Sequence, residues 1–210
     1  MFNTWTSLAL SDAILAFSSF FGVFLLSQCY RLAHDKLPVA GALIAFVLVA
    51  VSSSLGTLSY GFSQIWQQPY IMLMTATKTL APPMLAAALA TLCWNLEWSK
   101  PTWWRILIGL MVGFELSRYT GYGETYLYTT SAISLAVMFA AAITVSSRER
   151  TFTVFMVTAV VAYSLAALVI GTEGQLAGYL RLDLYRYLLA LGNLFAASGI
   201  FVLLKRLSRE

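Results

Sequence analysis

Charge is what this sequence has least of. Only 10 % of its 210 residues are Asp, Glu, Lys or Arg, against about 25 % in an ordinary soluble domain. Histidine occurs once, at His34, and cysteine twice, at Cys29 and Cys93. So little charge excludes a disordered chain and a nucleic-acid binder, and it argues against a soluble globular enzyme. Two cysteines cannot build a disulfide framework, and neither lies in a metal or redox spacing. Both read as reduced, small apolar packers. A single histidine offers no ligand set for zinc, di-iron or haem, so neither a metal nor a cofactor is expected. GxSxG, Walker and HExxH motifs are absent.

Apolar side chains take the place of charge. Hydrophobic residues make up 60 % of the chain and the mean hydropathy is +0.77. A membrane-spanning helix needs about 20 mostly apolar residues. Seven segments qualify: Ser7 to Leu26, Leu37 to Tyr60, Tyr70 to Trp94, Trp103 to Gly121, Tyr126 to Val145, Phe152 to Gly171 and Asp183 to Leu204. The links between them are short, as between antiparallel neighbours in a bundle. The expected fold is therefore an all-α membrane protein, one domain over residues 1–210, with seven transmembrane helices. The first apolar run has no basic n-region and no small-residue cleavage site, so it reads as a retained helix.

The distribution of Lys and Arg sets the orientation. Arg31, Lys36, Lys100, Arg105, Arg148, Arg150, Lys205, Arg206 and Arg209 fall on one side, and only Arg118, Arg181 and Arg186 on the other. The positive-inside bias then places the N-terminus outside and the C-terminus in the cytoplasm. A multi-pass protein of the bacterial inner membrane is expected, with membrane lipids as partners and no nucleic acid. Trp94, Trp98, Trp103 and Trp104 crowd the inner interface, and Trp5 and Trp66 mark the outer one, as an aromatic belt does. Nine of the eleven tyrosines lie toward the outer side, either as a girdle with helix-end packing or as a hydroxyl-lined mouth.

Ionisable residues inside spans are costly, about 2.5–3.5 kcal/mol at the helix centre on insertion scales, so the few present are candidate site residues. Lys78 lies eight residues past Tyr70, about 12 Å along the third helix, and Glu115 six residues before Gly121, about 9 Å from the same side. Equal depth in sequential helices suggests a Lys78–Glu115 pair, although Glu115 and Arg118 can also neutralise each other at i, i+3. Pro82 and Pro83 follow Lys78 and free the carbonyls of Lys78 and Thr79, which predicts a kink there. Glu115, Arg118, Tyr119 and Tyr122 form a polar stripe on the fourth helix. Gly109 and Gly113 form a GxxxG on nearly the opposite side, suited to packing within the chain or to a second copy or complex partner. Ser11 and Asp12 begin the first helix, Ser53, Thr57 and Tyr60 line the outer half of the second, and Asp183 and Arg186 open the seventh. Asp12 and Asp183 read most simply as acids at helix N-termini. Charges therefore gather in the outer half, which favours an outward-opening polar cavity over a path through the membrane.

The Ser11-Asp12 start, the Ser59-Tyr60-Gly61-Phe62 end of helix two and the Leu182-Asp183-Leu184-Tyr185-Arg186 start of helix seven resemble the CREST superfamily of seven-helix membrane proteins. That group includes alkaline ceramidases, and the resemblance implies a lipid-amide hydrolase with zinc held by histidines. This chain has Tyr60 where a histidine would stand and no HxxxH in helix seven, so no ligand residue carries over. The reading favoured by the residues is a non-enzymatic protein whose outward-facing pocket binds a polar solute or lipid headgroup for transport or sensing. Its expected ligand-binding residues are Lys78, Glu115, Arg118, Asp12, Tyr60 and Arg186, and Pro82-Pro83 is the hinge. Alternatives are a structural or assembly subunit docking through Gly109 and Gly113, and a CREST-like lipid hydrolase.

Overall fold

A computed structural model describes residues 4–31, 33, 35–176 and 178–207; His34 and Arg209 lie outside them. Seven α-helices occupy almost all of that length: α1 (Thr4–Tyr30), α2 (Lys36–Gly61), α3 (Gln67–Trp94), α4 (Lys100–Tyr119), α5 (Gly123–Thr144), α6 (Arg150–Ser164) and α7 (Arg181–Leu207). They coincide with the seven apolar segments, and most extend further at one or both ends. A 3-10 turn precedes α3, and Leu165–Ile170 prolongs α6 as a wider π turn. A two-residue hairpin, β1 (Gln175–Leu176) with β2 (Tyr179–Leu180), fills the link to α7.

The boundaries follow local chemistry. Asp35 caps α2 by accepting from the Leu37 N–H at 3.0 Å, which satisfies one of the orphan donors of a helix start. A proline enters α4 in its first turn, where its missing N–H costs nothing. Asn95 ends α3 in the left-handed region at φ 50°, a conformation asparagine tolerates. Gly171 stops the π turn at φ +65°.

Five helices are long and apolar enough to cross a membrane: α1, α2, α5, α6 with its π turn, and α7. This composition suggests a membrane protein. Helix α3 is long enough at 28 residues, and α4 has 20, but both fall short in apolarity. Lys78, Pro82, Pro83 and several threonines dilute α3, and Lys100, Arg105, Glu115 and Arg118 dilute α4.

Six helices close a ring in the order α7, α1, α2, α3, α5, α6, and α4 lies outside it against α5 and α3. The ring packs on small residues. Ala42, Ala88, Ala141, Ala159, Ala196 and Ala197 are fully buried, with Phe46, Met84, Phe152 and Met156 filling between them. Such positions let backbones approach closely where lipid supplies no hydrophobic drive between helices. Ser7 and Ser11 of α1, Tyr70 of α3 and Asp183 and Arg186 of α7 lie together with the end of α2. Helices α1, α3 and α7 therefore start at one end, here the upper end, and α2 finishes there.

Trp103 departs from its place in the expected belt. It is 6 % exposed and faces Gly41, where an added Cβ would lie 2.7 Å from its ring. Trp98 stacks on it edge-on at 5.7 Å between centroids, while Trp94 and Trp104 remain on the surface. Gly41→Val is expected to cost about 1–3 kcal/mol by overpacking, read as a lower unfolding midpoint with altered tryptophan emission.

Candidate functional site

Among the described residues, the buried charges meet at the upper end, between α1 and α7. Arg186 is 4 % exposed, Asp12 2 % and Asp183 5 %. Arg186 Nε lies 3.0 Å from Asp12 Oδ1. Its Nη1 donates to the Leu8 carbonyl at 3.1 Å and to Ser11 Oγ at 3.3 Å, and its Nη2 to the Tyr70 hydroxyl at 2.9 Å. The guanidinium thus spends its donors on α1 and α3 in the fork geometry that suits a buried arginine. Tyr60 of α2 covers it, with the Arg186 carbon 5.3 Å from the ring centroid.

Asp183 does not act as a helix cap. Its two carboxylate oxygens accept from Ser7 and Ser11 of α1, each at 2.7 Å. The cluster therefore holds two carboxylates against one guanidinium. Asp12 Oδ2 has no hydrogen-bond partner and packs against Gly56 of α2. A Cβ on Gly56 would stand 2.2 Å from that oxygen and 2.9 Å from the Tyr70 ring, so the glycine makes the room in which the carboxylate sits.

Above the cluster, aromatic rings close the bundle. Tyr60 lies between Trp5 and Tyr70, with centroids 5.9 and 5.7 Å away. Over Tyr60 is a shallow open pocket of about 170 Å³ lined by residues 59–64 and Trp5. Tyr60 both lines this pocket and covers Arg186. Lower in the same α1–α7 seam, Asn193 donates to Ser19 at 2.8 Å and accepts from the Tyr163 hydroxyl at 2.7 Å. Tyr163→Phe is expected to cost about 0.6–1.7 kcal/mol, measured by unfolding in mixed micelles.

Of the residues expected to form a pocket, Asp12, Tyr60 and Arg186 come together. Lys78, Glu115 and Arg118 do not join them. No Lys78–Glu115 ion pair forms among the described residues; Glu115 bonds Arg118 at 2.7 Å, with both side chains more than half exposed. Helix α4 sits outside the ring, so equal depth did not bring Glu115 to Lys78, whose side chain is itself exposed. Breaking the surface pair by Glu115→Gln is expected to change stability by less than about 1 kcal/mol, in contrast to any change at Arg186. Helix α3 runs unbroken through Pro82 and Pro83, which both lie inside it. On α4, Gly113 receives Tyr126 of α5, whose hydroxyl lies 3.0 Å from the position of an added Cβ and donates to the Leu110 carbonyl, while Gly109 faces open space.

Asp183, which the sequence suggests as an acid at the start of the seventh helix, instead joins α7 to α1, and Ser7, Ser19, Tyr163 and Asn193 carry no charge that singles them out in the sequence. A signal existed in the steps of three and four residues linking Asp183, Arg186, Ala190, Asn193 and Ala197, which put the polar residues of α7 on its small-residue face. Among the described residues, no three His, Cys, Asp or Glu side chains gather as a metal site would require. Comparison with protein-family models, curated proteins and solved structures finds no match to the chain.

Proposed function

We propose that this chain is a seven-span membrane protein of the bacterial inner membrane, N-terminus outside, whose upper end binds a polar solute or lipid headgroup at an outward-facing mouth over the Asp12–Arg186 pair. The observation that carries the reading is the buried cluster itself. Withdrawing two carboxylates and a guanidinium from water costs several kcal/mol per ion before any return, and alanine-lined helix contacts hold such a bundle without it. Intramembrane ionisable groups that persist against that cost mark a binding path by default.

The charge distribution supports the orientation. Arg186 is neutralised in the interior, which leaves Arg118 and Arg181 as the described basic residues at the upper end, while the other described Lys and Arg, apart from Lys78 in α3, lie toward the lower end. Helices α3 and α4, less apolar than the others, complete the seven spans in this reading because ring closure and the outer face of α5 cover part of each. The excess of carboxylate under a Trp–Tyr mouth suits a solute bearing a cationic or neutral polar group.

The test uses the purified chain in lipid nanodiscs with choline chloride or phosphocholine, against sodium chloride at equal ionic strength. A saturable rise in unfolding midpoint that Tyr60→Ala abolishes supports the site. No rise with either probe, or a rise that survives Tyr60→Ala, counts against it.

A second reading, an assembly subunit docking through α4, has one observation behind it. A Cβ at Gly109 would meet nothing within 4 Å, so that half of the glycine face is open to another helix. Gly109→Ile is expected to disperse any oligomer seen by light scattering in micelles; an unchanged oligomer would exclude this face.

A further inference from the structure

The lower end carries a second and larger cavity, about 280 Å³, enclosed by the end of α3, the α5–α6 link and the last turns of α7. Its wall is apolar, with Leu92, Val145 and Leu203 among the lining side chains, and its polar rim is Asn95, Arg148 and Arg206. Arg206, one of the lining residues, donates to the Arg148 carbonyl and lies 3.5 Å from Glu149. Glu149 is the acid paired at this rim, and its partner is Arg206. The Arg148 guanidinium is exposed and has no ion pair among the described residues. Among the described residues, Arg148 and Arg206 share this rim with one carboxylate, Glu149, which pairs with Arg206, so the exposed Arg148 brings positive charge directly beside a leucine wall.

That combination specifies the chemistry of an occupant. Arginine matches a phosphate with paired charge-assisted N–H donors. The apolar wall asks for a body that excludes water, which a free inorganic anion does not bring. A zwitterionic lipid brings a cation to a rim already in positive excess. The volume is several times the roughly 30 Å³ share of one water, so a phosphate with part of its glycerol fits. Trp94 and Trp98 lie at this same end, at the level aromatic residues occupy beside headgroups. Basic pockets between helices on the positive side of a membrane protein are suited to anionic headgroups.

We infer that this cavity binds the phosphate of an anionic phospholipid, held by Arg148 and Arg206 with the glycerol portion against the leucine wall. The inference needs the lower end at headgroup level and is independent of the mouth at the upper end.

The test is native mass spectrometry of the delipidated full chain in detergent, with dioleoyl phosphatidylglycerol, dioleoyl phosphatidylcholine or sodium phosphate added. Phosphatidylglycerol is expected to be retained about tenfold better than phosphatidylcholine, and Arg148→Gln to lose about tenfold of that preference, the worth of one charge-assisted contact. Arg148 is exposed, so the variant is expected to keep the wild-type unfolding midpoint without lipid. Arg150→Gln, nearby but outside the cavity lining, is expected to keep the preference. Equal retention of the two lipids, an unchanged preference in Arg148→Gln, or an equal loss in Arg150→Gln would overturn the inference. Saturable stabilisation by sodium phosphate without lipid preference would assign the site to a free anion and overturn it too.

Discussion

Arg186→Met is expected to cost about 3–5 kcal/mol, the penalty for leaving a buried charge without its partner. Asp12 touches that guanidinium directly and Asp183 reaches it through Ser11, and both carboxylates are at least 95 % buried. Asp183 retains the hydroxyls of Ser7 and Ser11. Asp12 keeps nothing, because its Oδ2 already has no donor and its Oδ1 would lose Arg186. The Tyr70 hydroxyl and the Leu8 carbonyl would each lose a donor as well. The expected loss is thus centred on Asp12, and Asp12→Asn in the Arg186→Met background should recover at least about 2 kcal/mol, since removing both members of a buried pair is far cheaper than removing one. Graded SDS unfolding in mixed micelles, followed by circular dichroism, measures both steps. Additive losses would mean that the two side chains do not interact.

Gly56→Ala is the second large effect, expected at about 3 kcal/mol or more. The methyl would occupy space now held by Asp12 Oδ2 and crowd the Tyr70 ring. Overpacking alone costs about 1–3 kcal/mol. Here the atom that must yield is one oxygen of an ion-paired carboxylate, so relief by rotation pulls Asp12 Oδ1 from Arg186. Gly61 provides the contrast on the same helix. Its added Cβ would meet only the Ala9 methyl at 3.4 Å, an ordinary contact, and Gly61→Ala is expected to leave the unfolding midpoint within experimental error. Equal effects at the two glycines would remove the special role of Gly56.

The helices were legible in the sequence because an apolar run of about 20 residues says where a helix lies whatever its neighbours are. The site was only partly legible. Asp12, Tyr60 and Arg186 stood out as polar groups in apolar surroundings, but the ion pair joins residues 174 positions apart in sequence. Which helix faces which is set by side-chain packing around the whole ring, and depth along an axis carries no information about azimuth. Lys78 and Glu115 illustrate the point: their depths agree, yet α4 lies outside the ring and Glu115 turns to Arg118 one turn away. Trp103 differs from the expected belt for the same reason. Its headgroup-level position was readable, but the recess at Gly41 that takes its ring belongs to another helix. Asn193 went unmarked because a neutral amide gives no charge signal, although its place seven residues after Arg186 on one face of α7 pointed to it.

If the upper end opens outward as proposed, water reaches the roof of the Asp12–Arg186 cluster from outside the cell. This is tested by labelling Tyr60→Cys in intact bacteria with a membrane-impermeant maleimide, in a background with Cys29 and Cys93 changed to Ala. Ser147→Cys, in the exposed α5–α6 link at the lower end, serves as the opposite marker. The expected result is labelling at position 60 in intact cells and at position 147 only after lysis. Labelling at 147 in intact cells, with position 60 protected until lysis, would contradict both the orientation and the outward-facing mouth.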